Sequence, residues 1–215
     1  MHKFILSGLL LIVTSVSHAD IIARYAMGKE ILVLSYRDAR HIRVDSGAKG
    51  YSIINGGQAT AIINQGNAQV VMDVDQVGGM LAGIQEGQNI AIPDSTTVTL
   101  VATGEFSDIA GFKGRVYKAT DGLNETQLVL TDNAQVMTAS DGLRHFFRRF
   151  ATAMRNDRGS KLLALENAFK DQSYRGVLYV QGGFKLLSIS QGQRPDNYYT
   201  APPAGFQFSM PNASR

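Results

Sequence analysis

The sequence predicts an α+β domain: a curved antiparallel sheet covered by a few helices. Three observations carry this. Turn signals recur about every ten residues over 20–73 and again near the C-terminus, the spacing of short antiparallel strands. In His41-Ile42-Arg43-Val44-Asp45 the apolar Ile42 and Val44 alternate with polar and charged residues, as in a sheet with one wet face. One stretch, Gly142 to Asn156, instead places Leu143, Phe146, Phe147, Phe150 and Met154 on one helical face.

Expected strands in the first part are Asp20–Ala26, Glu30–Tyr36, His41–Ser46, Tyr51–Asn55, Ala59–Asn64 and Gln69–Asp73. Asn55-Gly56 is the strongest hairpin signal among their turns, because a type I′ turn needs positive φ at both central positions. Over 74–84 the apolar Val77, Met80, Leu81 and Ile84 take helical spacing, but three glycines weaken the helix by about 1 kcal/mol each. This segment reads as a short helix or lid, or equally as a connector docked on the sheet. A loop follows to Asp94, then a strand Thr96–Thr103. Thr103–Asp132 is the most patterned stretch, a hairpin with a glycine-marked entry. Gly104 and Gly111 bracket Ile109, and GRVYKAT and ETQLVLT flank Asp121-Gly122. Residues 132–139 read as an added strand or extended link through Val136 and Met137.

Ser140 or Asp141 then caps the amphipathic helix. Arg144, Arg148 and Arg155 form a basic flank, with His145 and Arg149 beyond it. A second helix, Ser160–Asp171, follows Gly159. Strands Gly176–Gln181 and Phe184–Ser190 enclose Gly182-Gly183. Gln191–Tyr199 reads as polar loop, and the segment through Phe206 as extended chain.

Residues 1–19 have the pattern of a secretory signal peptide: Lys3, an apolar run from Phe4 to Val13, and Ser17-His18-Ala19 before a cleavage site at Asp20. The apolar run is shorter than the ~20 residues a membrane span needs. Cleavage leaves about 196 residues as a single domain, without a transmembrane anchor. The chain has no cysteine, so neither disulfides nor a lipidated N-terminal cysteine enter the argument. Periplasm is the expected address, with secretion to the medium as the alternative. The formal net charge of +3, which falls to +2 without Lys3, favours neither nucleic acid nor a strongly acidic partner.

Chemistry-bearing motifs are few. Beyond the leader only His41 and His145 remain, too few for a histidine- or cysteine-based metal site. No serine lies in a G-x-S-x-G setting, although a triad can assemble from distant residues. Asp73 and Asp75 fit a strand end or helix start better than a carboxylate pair. The arginines of 144–158 suit anionic headgroups or a solvated helix face better than nucleic acid, given the exported address.

Several runs resemble a known kind of protein. YRDARHIRVDSGAKGYSIINGGQATAIINQGNAQVVMDV followed by VDQVGGMLAGIQ is similar to exported bacterial domain families of unknown function. TGEFSDIAGFKGRVYKA resembles their entry to the central hairpin, and PPAGFQF their closing proline–glycine–phenylalanine. Those families resemble the lipoprotein-carrier-like half-barrels of the periplasm. The resemblance implies an incomplete antiparallel barrel with helices at its mouth and a binding or sensing role. It carries over no catalytic residue. Where many relatives have a cysteine this chain has GRVYKAT, which removes the basis for a shared redox or metal role.

The resulting expectation is a non-enzymatic periplasmic protein, without a cofactor, that holds a lipid, acyl chain or lipoprotein in an apolar cavity between sheet and helices. Met80, Leu81, Phe147, Phe150 and Met154 would line it. Arg144, Arg148 and Arg155 would meet a headgroup or partner. The alternative is an envelope protein-interaction or sensor module with a filled core. A hydrolase is the third option, requiring a Ser-His pair or a cluster of perturbed carboxylates.

Overall fold

A computed structural model describes residues 19–75, 98–120, 124–154, 168, 173–203 and 205–208. Among them, six strands form a meander: β1 (Asp20–Met27), β2 (Glu30–Asp38), β3 (His41–Asp45), β4 (Gly50–Asn55), β5 (Gln58–Gln65) and β6 (Ala68–Asp73). Then come β7 (Thr99–Ile109), β8 (Phe112–Thr120) and β9 (Glu125–Thr131), the helix α1 (Ala134–Met154), and β10 (Gly176–Val180), β11 (Phe184–Gly192) and β12 (Gly205–Phe208). All pairings are antiparallel in one sheet, ordered β12-β6-β5-β4-β3-β2-β1-β11-β10-β9-β8-β7. The outermost strands each have a single neighbour, so the sheet is open. β1 joins the two halves, pairing β2 on one side and β11 on the other.

The antiparallel sheet is as expected, but the described chain is mainly β with one long helix rather than a sheet under a few helices. The expected second helix at 160–171 and most of the 74–84 segment lie outside the described residues, as does the Asp121-Gly122 turn.

Period-two alternation divides the sheet into two apolar faces. Ile21, Ala23, Tyr25, Leu32, Leu34, Ile42, Val44, Ile54 and Ala59 point to the face that α1 covers. With Val136, Ala139, Leu143 and Phe146 from the helix they form the main core. Each large side chain fully buried there contributes about 1.5–3 kcal/mol. On the other face Ile53, Ile62 and Val71 make a smaller cluster against Ala201.

Four expectations are corrected. Residues 134–139 are helical rather than extended, because Asn133 caps α1: its Oδ1 accepts the N–H groups of Gln135 (3.1 Å) and Val136 (3.2 Å). Ser140 is therefore an interior helical residue rather than the cap, and Gly142 lies mid-helix. The strand expected to end at Thr103 continues to Ile109 through a bulge between Ala102 and Phe106, where Gly104 takes φ +85°. It turns at Ala110-Gly111, so that stretch is itself a hairpin. Between β4 and β5 the turn falls one residue later than Asn55-Gly56, on Gly56 and Gly57, both at positive φ (61° and 101°).

The fourth correction concerns the C-terminal part. The expected polar loop at 191–199 first completes β11 and then crosses the outer face as a strap. A 3₁₀ turn, Asp196–Tyr199, buries Tyr199 completely. Beyond it β12 pairs with β6. Buried Asp20 fastens the strap: it accepts from Arg37 Nε (2.8 Å) and from the Arg194 backbone N–H (2.9 Å). Arg37 also donates to Asp196 (2.6 Å) and to the Arg194 carbonyl (2.5 Å). Arg43 is sandwiched between the rings of Tyr51 (3.8 Å) and Tyr198 (4.4 Å) and donates to Asp45 at 2.7 Å. Burial works against the charge of Arg43, but the Asp45 carboxylate outweighs it and raises its pKa. Hydrogen bonds to Asp20 and then Asp196 likewise hold Arg37 charged.

Candidate functional site

The helix–sheet interface is the candidate site. Its position follows from three attachments of α1. Near the helix start, buried Ser140 Oγ accepts the backbone N–H of Val177 at 2.8 Å, where β10 bulges against β9. Two residues on, Gly142 presses on Tyr36 of β2: a Cβ there would lie 2.6 Å from the ring. This close approach explains a glycine in mid-helix despite its ~1 kcal/mol propensity cost. Further along, Arg149 grips the Asp75 carboxylate with both guanidinium nitrogens (2.5 Å for one) and reaches the Gly57 carbonyl at 3.3 Å. The helix thus runs diagonally from β10 across β2 to the far side of the meander.

Burial falls along that path. Val136 and Ala139 are fully buried, Leu143 and Phe146 nearly so, whereas Phe147 and Phe150 are half-buried against the same core. Phe146 stacks on Phe150 (4.4 Å between centroids) and meets Phe147 edge-on (5.6 Å). On the sheet Tyr36, Ala61, Phe112, Tyr179, Phe184 and Ile189 are likewise only partly buried beside this core. A helix is about 10–12 Å across, while twelve strands at about 4.8 Å spacing span roughly 53 Å. Among the described residues one helix lies on this face, and the half-buried residues flank the part it covers.

Of the residues expected to line a cavity, Phe147 and Phe150 each pack beside Phe146 on the helix flank. Met154 is the last residue of α1. Met80, Leu81 and Arg155 lie outside the described residues. Within the expected basic flank, Arg144 is half-buried and pairs with Asp141 one turn back, while Arg148 is exposed. The cation that ties the helix down is Arg149, which sequence reasoning placed beyond the working flank. Its partners lie 74 and 92 residues away, and nothing local in the sequence signals them. Also missed was Tyr25, 1% exposed in the main core. Burial holds its phenol above the ordinary range.

Further polar contacts lie on the other face of the sheet. His41 contacts the Asp38 carboxylate at 3.0 Å on the wet side. Burial opposes the charge of Asp38, but the His41 and Arg40 hydrogen bonds prevail and lower its pKa. Among the described residues no three histidine or acidic side chains gather as a metal site, and no helix is long and apolar enough to cross a membrane.

No family model matches this chain, and neither the curated proteins nor the solved structures compared with it give a match. The candidate site rests on its own geometry.

Proposed function

We propose that this is an exported, periplasmic protein that holds an acyl chain, of a lipid or a lipoprotein, between the open sheet and α1. The observation that carries the reading is the half-buried aromatic flank, Phe147 and Phe150, facing a sheet whose own apolar residues remain partly uncovered. Burying a chain there yields about 0.8 kcal/mol per methylene, so even a short groove is enough. Arg149 would act as the clasp: releasing it from Asp75 and Gly57 would let the C-terminal half of the helix lift without disturbing Ser140 and Gly142. The leader pattern at 1–19 and the absence of cysteine support the address.

The test is native mass spectrometry of the protein purified from the periplasm of its producing cells. The reading predicts adducts of acyl-lipid mass and recovery of the same species in an organic extract. A clean protein mass with an empty extract would contradict it.

One observation favours a second reading. The core under the first half of α1 is filled, with Val136 and Ala139 at 0% exposure. An envelope protein-interaction module with a solid core would show this throughout, and would use Arg148 on the exposed side. It predicts a co-purifying partner that Arg148→Glu releases, and no bound lipid.

A further inference from the structure

The main core contains one polar atom that the fold leaves unsatisfied. Tyr25 faces the helix side of the sheet, paired across it with Leu32 of β2 and Leu186 of β11. Phe184 meets its ring edge-on at 5.4 Å. The hydroxyl is buried and makes no hydrogen bond. The buried hydroxyls of Thr131 and Ser140 are matched, Thr131 donating to the Lys113 carbonyl at 2.9 Å and Ser140 accepting from Val177, whereas that of Tyr199 on the outer face shares the unpartnered state of Tyr25. A polar group buried without a partner is costly, and phenylalanine would fill the same volume without that cost. A tyrosine here is explained if something outside the chain completes the bond.

The surroundings restrict what that can be. The described cluster around Tyr25 is an apolar one of aliphatic and aromatic side chains. An ionised carboxylate would be stranded in it. Because burial keeps the phenol protonated, it offers an O–H donor, which suits a neutral acceptor. Tyr25 pairs with Leu32, four residues along β2 from the Tyr36 crossing point of α1, roughly 14 Å at strand rise. The donor is therefore set well away from the point where Gly142 of α1 crosses β2.

We infer that Tyr25 is the polar contact of the groove, and that the ligand it selects is a neutral acyl ester whose carbonyl oxygen accepts the Tyr25 hydroxyl, in preference to an ionised fatty acid. The inference rests on the acyl-chain reading above and narrows its ligand class.

Displacement of a fluorescent acyl probe from the chain 20–215 tests it, with methyl palmitate, palmitate and hexadecane as competitors at pH 8. Methyl palmitate should displace the probe about tenfold better than hexadecane, the worth of one buried hydrogen bond, and better than palmitate. Tyr25→Phe, which keeps the ring and its packing, should erase the advantage over hexadecane and leave hexadecane unchanged. In the unsubstituted protein carrying ¹³Cζ-labelled tyrosine, methyl palmitate should shift the Tyr25 signal and hexadecane should not. Equal displacement by ester and alkane, or an ester advantage that survives Tyr25→Phe, would overturn the inference while leaving the acyl reading standing. Failure of the probe and all three competitors to bind would overturn the acyl reading, and the inference with it.

Discussion

The two faces of the sheet are held by different physics. On the helix side, adhesion is apolar and graded: fully buried residues under the first half of α1, half-buried phenylalanines under the second, and a single arginine clasp at Arg149. On the outer side the strap is held by directional contacts, with Asp20, Arg37, Asp45, Asp196 and Tyr198 each bonded to a named partner and Arg43 stacked between two rings. Apolar adhesion tolerates sliding and replacement by another apolar body. A hydrogen-bonded charge network does not, because each broken pair strands a partner. The contrast separates a face able to exchange cover from one that locks the chain's end in place.

The largest effect should come from the filled part of the helix side. Leu34 is fully buried beneath it, and Leu34→Ala should cost about 2–5 kcal/mol in urea unfolding. A loss below about 1 kcal/mol would mean that this region is loosely packed and the gradient along α1 is not real. Next, Arg37→Ala leaves the buried Asp20 carboxylate with only the Arg194 backbone N–H, and should cost about 3 kcal/mol. It should also expose 194–208 to protease while α1 stays protected from hydrogen exchange. Equal loss of protection on both faces would erase the distinction. Gly142→Ala forces the helix off the Tyr36 ring and should cost about 1–3 kcal/mol, despite the better helix propensity of alanine. Tyr198→Phe removes the bond to Asp45 (3.1 Å) at about 1 kcal/mol.

The alphabet of alternation made most of this architecture legible. Ile42 and Val44, and the spacing of Leu143, Phe146 and Phe150, point where the sequence says they should, because a half-buried strand or helix leaves its period in the chain. Long-range partners left no such period. Asn133 is a good cap by residue type, yet Ser140 and Asp141 are equally good and stand closer to the apolar run. The Asn133 side chain capping Gln135 and Val136 shows that the helix begins about two turns before Gly142. In the sequence the strap has the composition of a polar loop, because Arg37, Arg43 and Asp20 are ordinary surface residues until Tyr198 and Tyr199 fold over them. At the candidate site the phenylalanines were visible, whereas the Arg149 clasp and the unpartnered hydroxyl of Tyr25 depend on the sheet being assembled.

The smallest effect is a pH dependence shared by both faces. Burial raises the phenols of Tyr25 and Tyr199 above their ordinary value of 10.0, with the Asp20 carboxylate adding to the rise at Tyr199. A folded-state value above the unfolded one means that stability is full below pH 10 and declines as pH rises past it, since only the unfolded chain then ionises freely. Urea titrations between pH 7 and 11 should show this decline, and Tyr25→Phe should make it shallower. An unchanged slope in that variant would place the alkaline sensitivity elsewhere.

The central claim is that the half-buried flank of α1 accepts an acyl chain. The chain has no tryptophan, so Phe150→Trp puts a single indole at that flank. Titration with an acyl ester brominated along its chain should quench the indole emission saturably, with an unbrominated ester of the same length competing the quenching away. Emission that stays constant through the titration, in a protein whose unfolding curve matches the parent, would contradict the claim.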